Sequence, residues 1–129
     1  MFELPQIMRD AQMLARHAGA AQTQTAKNMA NADTPGYRGQ VYISFADAMS
    51  RGAQGDLRMR QTLPGHLAGS ERAHFVLRDT GDPVDLNGNN VSIEAEMVRA
   101  ASAQSQHTTA MTVYRASLEM MRTALGRGR

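Results

Sequence analysis

The sequence predicts a mainly α fold: two long helices at the ends of the chain pair as an α-hairpin or coiled coil around a loop-rich middle that carries at most short β-strands. Three observations predict it. Apolar residues recur at alternating steps of three and four in both terminal stretches, neither stretch has an interior proline, and residues 39–90 hold seven glycines with no sustained periodicity. With 129 residues the chain has enough sequence for one core, so the expected organisation is 1–38, an N-terminal helix and turn; 39–90, the middle; and 91–129, a C-terminal helix folding as one unit with the first.

The first helix is expected over residues 5–32, because Pro5 suits a first helical turn and the next proline is Pro35. Its seam runs Leu4, Ile7, Ala11, Leu14, Ala18, Ala21, Thr25, Asn28 and Ala32, apolar early and polar late. Gly19 interrupts the pattern at a cost of about 1 kcal/mol relative to Ala, and reads as a place of close backbone approach. Pro35 lacks a donor and biases Thr34 away from helical angles, so the helix stops. Thr34-Pro35-Gly36-Tyr37 then fits a type II turn with Pro and Gly at its central positions.

In the middle, Gln40 to Phe45 and His74 to Leu77 are strand candidates, Phe45 to Met49 is a short amphipathic run, and Asn87-Gly88 is a turn signal. The second long helix starts after Ser92 as N-cap, with Glu94 and Glu96 in its first turn and Arg122 near its end, matching the helix dipole. It runs to about Leu125 through a heptad seam of Ile93, Met97, Ala100, Gln104, His107, Met111, Tyr114, Leu118, Met121 and Leu125. One stripe on each helix buries one face only, and an isolated helix pair is marginal. The larger seam residues Leu4, Ile7, Leu14, Ile93, Met97, Met111, Tyr114, Leu118, Met121 and Leu125 read as an assembly seam, and the apolar groups left over, such as Met8, Met29, Val113 and Met120, point to additional partners, so oligomerisation is expected.

Composition narrows the function. Aromatics make up 5% of residues and there are ten Met, which suits adaptable helix–helix contact better than a deep rigid pocket. The net charge of +2 divides as +1, −1 and +2 over the three segments, without the clustered Lys and Arg that nucleic-acid binding needs. The absence of Cys removes disulfides and thiolate metal sites. No phosphate loop, nucleophile elbow or zinc helix is present, so no catalytic residue, no metal ligand, no cofactor and no small-molecule substrate is expected. His17, His66, His74 and His107 are dispersed, and His107 reads as a hydrogen-bonded seam residue. Asp85, Asn87, Asn89 and Glu96 follow part of a calcium EF-hand spacing, but Asn90 stands where Gly is required and no helix is expected before Asp85; a turn with a helix cap is the favoured reading. The Gly126-Arg127-Gly128-Arg129 end reads as a solvated helix terminus rather than an RNA-binding tail. The N-terminus lacks a signal-peptide pattern and no stretch is long and apolar enough to span a membrane, so any export is expected without a cleaved signal.

The run Asn28-Met29-Ala30-Asn31-Ala32-Asp33-Thr34-Pro35-Gly36-Tyr37-Arg38 resembles the N-terminal motif shared by the flagellar rod, hook and related axial proteins. Its motif residues are Asn28, Asn31, Thr34, Pro35, Gly36, Tyr37 and Arg38; Asp33 and Met29 stand where that family often has Asn or Val and Ile. Residues 85–97 look like the signature of that family's proximal rod subunits, carried by Gly88, Asn89, Asn90, Val91, Glu94, Glu96 and Met97, and Thr62 and His66 match its Thr-x-x-x-His pair. The resemblance implies a non-enzymatic subunit of the basal-body rod, exported unprocessed by the flagellar type III apparatus and assembled in the periplasm. Its partners would be copies of itself, other rod proteins, the membrane-ring protein and the adaptor at the rod base.

Two physical roles are expected of the motif. Asn28 and Asn31, one turn apart, would satisfy backbone groups freed where Pro35 ends the helix, with Tyr37 covering the joint. Pro35 and Gly36 would set the angle at which the middle segment leaves the helices. The competing classes are a helical adaptor or export chaperone, which does not need that turn, and a small calcium-binding protein.

Overall fold

The computed structural model describes residues 4–55 and 75–126, with side chains over 6–50 and 75–126. Thr62, His66, His74, the Leu4 side chain and the Arg127 to Arg129 tail lie outside the described residues. The elements are α1 (Leu4–Ala30), β1 (Gln40–Tyr42), α2 (Phe45–Gly55), β2 (Leu77–Asp79) and α3 (Ile93–Gly126). The fold is mainly helical, with α1 and α3 packed together and a loop-rich middle holding two short strands.

The two long helices run antiparallel: Gln22 Nε2 donates to Gln104 Oε1 at 3.3 Å and Asn28 Nδ2 to Glu96 Oε1 at 3.1 Å, so advancing along α1 retreats along α3. At 34 residues α3 is about 50 Å long at 1.5 Å per residue. The buried line on α1 is Ala11, Ala18 and Thr25; on α3 it is Glu96, Ala103, Ala110 and Ser117. Both lines repeat at seven-residue intervals, the heptad spacing of paired helices.

The α3 seam lies one residue to the side of the expected stripe. Ala100, His107, Tyr114 and Met121 are half-buried on its flank and Met111 and Leu118 are half-buried, but Gln104 is exposed and so are Ile93, Met97 and Leu125, the last at 85%. Bulk explains the offset. A hydrophobicity pattern gives weight to Met and Leu, whereas two helix backbones approach most closely over their smallest side chains. Gly19 is not a point of close approach: a methyl group there would meet nothing within 4 Å. Arg122 sits one turn short of the α3 C-terminus, and the last turn itself carries no basic residue.

Strands β1 and β2 pair antiparallel in the register Gln40↔Asp79, Val41↔Arg78 and Tyr42↔Leu77. Flanking bonds from Thr80 N to Gly39 O at 3.1 Å and from Ile43 N to Val76 O at 3.0 Å extend the ladder. The second strand begins at Leu77, three residues beyond the expected start, and the first stops at Tyr42 because Ser44 opens a helix. The Ser44 hydroxyl accepts from Asp47 N at 3.2 Å and donates to Asp47 Oδ2 at 2.7 Å, a capping arrangement that turns the amphipathic run at Phe45 into the 11-residue α2. Buried His17 fastens this middle segment to α1. Its Nε2 donates to the Ile43 carbonyl at 2.8 Å, and its ring meets Phe75, Phe45 and Tyr42 edge to face at 4.9, 5.7 and 6.2 Å.

Candidate functional site

The two motif-bearing segments, far apart in sequence, close on each other at the end of the hairpin where α1 stops and α3 starts. Thr34 to Tyr37 form the expected turn: Tyr37 N donates to Thr34 O at 3.2 Å, and Gly36 sits at φ +72°, the left-handed angle a type II turn requires at its third position. Gly36 N then donates to Asn87 O at 2.9 Å, joining this turn to the tight Asp85–Gly88 turn, which Gly88 N closes on Asp85 O at 2.8 Å.

Asn89 lies at the centre of the joint and is 1% exposed. Its Nδ2 faces the carbonyls of Ala32, Asn31 and Thr34 at 2.7, 2.9 and 3.0 Å, and its Oδ1 accepts from Val91 N at 2.8 Å. A helix C-terminus leaves carbonyls without intrahelical partners; the amides of Thr34 and Tyr37 reach those of Asn31 and Thr34, and Asn89, 57 residues beyond Ala32, joins them there and bonds the Ala32 carbonyl as well. That task was expected of Asn28 and Asn31. Asn31 does part of it, donating from Nδ2 to Lys27 O at 2.8 Å and accepting from the Thr34 hydroxyl at 3.4 Å, but Asn28 points elsewhere. Asn90, next to Asn89, reaches the sheet: its Oδ1 accepts from Gly39 N at 2.6 Å, and its Nδ2 lies 3.1 Å from both Asp79 Oδ1 and Thr80 Oγ1.

Asn28 ties α1 to β1 and α3. Its Nδ2 donates to Gln40 O at 2.8 Å and Glu96 Oε1 at 3.1 Å, while its Oδ1 accepts from Gln24 Nε2 at 3.1 Å, Tyr37 OH at 3.2 Å and Gln40 N at 3.3 Å. Tyr37 thus covers the joint, as expected, by way of Asn28. Glu96 is fully buried rather than facing solvent in the first turn, and Arg99 Nη1 meets its Oε1 at 2.6 Å. Arg99 Nη2 also reaches Asp82 Oδ2 at 2.7 Å. Burial works to lower the Arg99 pKa, but hydrogen bonds and charge from Asp82 and Glu96 outweigh it and raise it, so the guanidinium stays cationic.

Of the remaining motif residues, Pro35 and Arg38 are exposed and Val91 is half-buried, its Cγ2 3.1 Å from where a Gly39 methyl group would stand. Ser92 caps α3, accepting from Ala95 N at 3.4 Å and donating to Glu94 Oε2 at 2.8 Å. Glu94 is exposed, and its backbone N–H and then the Ser92 hydroxyl hold its carboxyl below the ordinary range. Asn89, Asn90 and Glu96 carry far more of the joint than their place in a turn signal suggests; the sequence cue was three polar residues beside a helix start.

The larger apolar residues of the expected assembly seam divide by position. Leu14, Met111, Tyr114, Leu118 and Met121 are half-buried, and Ile7, Ile93, Met97 and Leu125 are exposed at 40%, 47%, 59% and 85%. Val98, Val113 and Met120 are exposed as well, at 70%, 40% and 51%.

A groove of about 340 Å³ between β1 and α3 includes His17, Gln24, Tyr42, Phe45 and Arg99 in its lining. His17 and Arg99 are already held by Ile43 O and by the Asp82–Glu96 pair. Among the described residues no three His, Asp or Glu are arranged to hold a metal ion, and Glu96, the would-be last calcium ligand, is committed to Asn28 and Arg99. No helix among the described residues is long and apolar enough to cross a membrane. No family model matches the chain, and no curated protein matches it in sequence.

Proposed function

We propose that this chain is a structural, non-enzymatic subunit of the proximal rod of the bacterial flagellar basal body, similar to the proximal rod protein FlgB, that assembles through its terminal helices to carry torque between membrane ring and distal rod. The observation that carries the reading is the joint itself. The two segments that resemble the axial-protein and proximal-rod motifs interlock, Asn89 on the carbonyls of Asn31, Ala32 and Thr34, and Gly36 on Asn87. Motif residues spent on backbone hydrogen bonds at a helix junction suit a load-bearing corner better than a reaction site.

The exposed apolar residues agree with assembly. Small residues fill the seam within the hairpin, and Met97, Val98, Met120 and Leu125 remain for neighbouring molecules. On this reading the partners are further copies, other rod proteins, the membrane-ring protein and the rod-base adaptor, reached in the periplasm through the flagellar type III export apparatus.

The direct test is imaging of purified basal bodies carrying a labelled version of this chain. Label at the proximal rod supports the proposal, and basal bodies without label overturn it. Gly36→Val, which puts a β-branched residue at φ +72°, is expected to abolish rod assembly. Another proximal rod protein of the same family is the nearest alternative, and the Gly88 to Met97 segment is what favours the FlgB-like reading over it. A helical export chaperone would give the same helicity by circular dichroism in dilute solution as when concentrated, whereas a rod subunit gains helicity on polymerising.

A further inference from the structure

The joint contains the single Asn-Gly pair of the sequence, Asn87-Gly88. This dipeptide is the one most prone to spontaneous deamidation, because glycine leaves its own nitrogen unhindered and lets the backbone reach the geometry for ring closure. Geometry forces the pair here. Gly88 holds φ +81° with a would-be methyl group 3.3 Å from the Gly36 α-carbon, so a side chain there is both strained and crowded, and Asn87 Oδ1 accepts from Asn89 N at 2.9 Å, so an acceptor side chain is favoured before it.

We propose that Asn87 is a modification site guarded by the fold: intramolecular deamidation proceeds in the open chain and is held off once the joint has closed. In the open chain Gly88 N, losing its proton, bonds to Asn87 Cγ, and the side-chain nitrogen leaves as ammonia. Water then opens the resulting succinimide at either carbonyl, giving aspartate or isoaspartate. No oxidant, metal or enzyme is needed.

Closure removes both reacting groups. Gly88 N is engaged with Asp85 O at 2.8 Å, and the Asn87 side chain is turned to Asn89 N, while Asn87 O is fixed by Gly36 N at 2.9 Å. Asn87 itself is exposed, so the protection comes from these bonds and not from exclusion of water. The two products differ in consequence. Aspartate keeps the acceptor that Asn89 N needs, whereas isoaspartate inserts a methylene into the main chain between residues 87 and 88 and shifts Asn87 O away from Gly36 and Asn89 away from the end of α1.

The test is peptide mass spectrometry of the full chain aged at mildly alkaline pH, with and without concentrated urea. Deamidation at Asn87 is expected to be slower without urea by about tenfold or more, which corresponds to a local opening free energy of about 1.4 kcal/mol or more. Equal rates overturn the proposal. Chain aged in urea and returned to buffer supplies the second arm, read by hydrogen exchange at Gly36 and Val91. Asn87→Asp is expected to keep protection at both amides, and the isoaspartate form to lose it. Retained protection in the isoaspartate form, or lost protection in Asn87→Asp, refutes the role given to main-chain length.

Discussion

Gly36 and Gly88 meet backbone to backbone: both hold left-handed angles, φ +72° and +81°, and a methyl group on Gly88 would lie 3.3 Å from the Gly36 α-carbon. The Gly36 turn therefore depends on the lack of a side chain at Gly88, whereas Gly36 has open space around it and needs glycine for its angle alone. Gly88→Ala combines a positive-φ penalty with that contact and is expected to destabilise the chain by about 1–3 kcal/mol in urea denaturation followed by circular dichroism. Unchanged stability would mean that the two turns do not meet.

Asn89 supplies both a donor and an acceptor, and its variants separate the two. Asn89→Ala removes the side-chain donor from the carbonyls of Asn31, Ala32 and Thr34, of which Asn31 and Thr34 keep a turn amide, leaves the Val91 amide without its acceptor, and is expected to cost about 1–3 kcal/mol. Asn89→Asp keeps the acceptor for Val91 but sets an anion against three carbonyl oxygens, so thermal melts should place it at or below the alanine variant. An aspartate variant as stable as the parent would show that the carbonyl contacts contribute nothing.

The Glu96 carboxylate has Asn28 and Arg99 as partners, and its Oε2 has none. Removing the cation leaves a fully buried charge supported by one amide, so Arg99→Ala is expected to lose about 3 kcal/mol. In the double variant with Glu96→Gln much of that loss should return, because the uncompensated charge is gone. Additive losses in a double-mutant cycle would contradict the pairing.

Glu94 gives a pH dependence whose sign follows from its lowered pKa. The Ser92–Glu94 cap is fully present above the ordinary glutamate pKa and is lost as pH falls through the depressed folded-state value. Amide exchange at the start of α3 should therefore quicken on acidification through that window. Glu94→Gln should flatten this response, and a variant as acid-sensitive as the parent would assign the effect to another group.

Much of the architecture was legible because the strongest signals are local. Pro5, Pro35, Gly36 and Ser92 mark the helix limits through donors, angles and caps that depend on a few adjacent residues, and the structure places those limits within one or two residues. The type II turn followed for the same reason. What sequence could not give was the choice among side chains at similar spacing. The α3 seam runs over Ala103, Ala110 and Ser117 instead of the neighbouring Gln104, Met111 and Leu118, because close approach selects for smallness while pattern analysis rewards bulk. The tasks of Asn28 and Asn89 were likewise hidden, since a polar side chain's partner 58 or 68 residues away leaves no local trace. The α2 cap at Ser44 and Asp47 was readable, but an apparent strand running through to Phe45 obscured it.

The alanine-lined contact has a further consequence for how the two helices find their alignment. Similar small residues recur every seven positions on each, so sliding one helix by a heptad would set methyl against methyl again with little change in fit. Such a contact resembles a scale with evenly ruled marks: it favours many settings and distinguishes few. The polar corner matches in one setting only, because Asn28 must find Glu96 while Asn89 finds the end of α1. It is therefore the zero mark of the scale, and loosening it should yield hairpins out of phase as well as weaker ones.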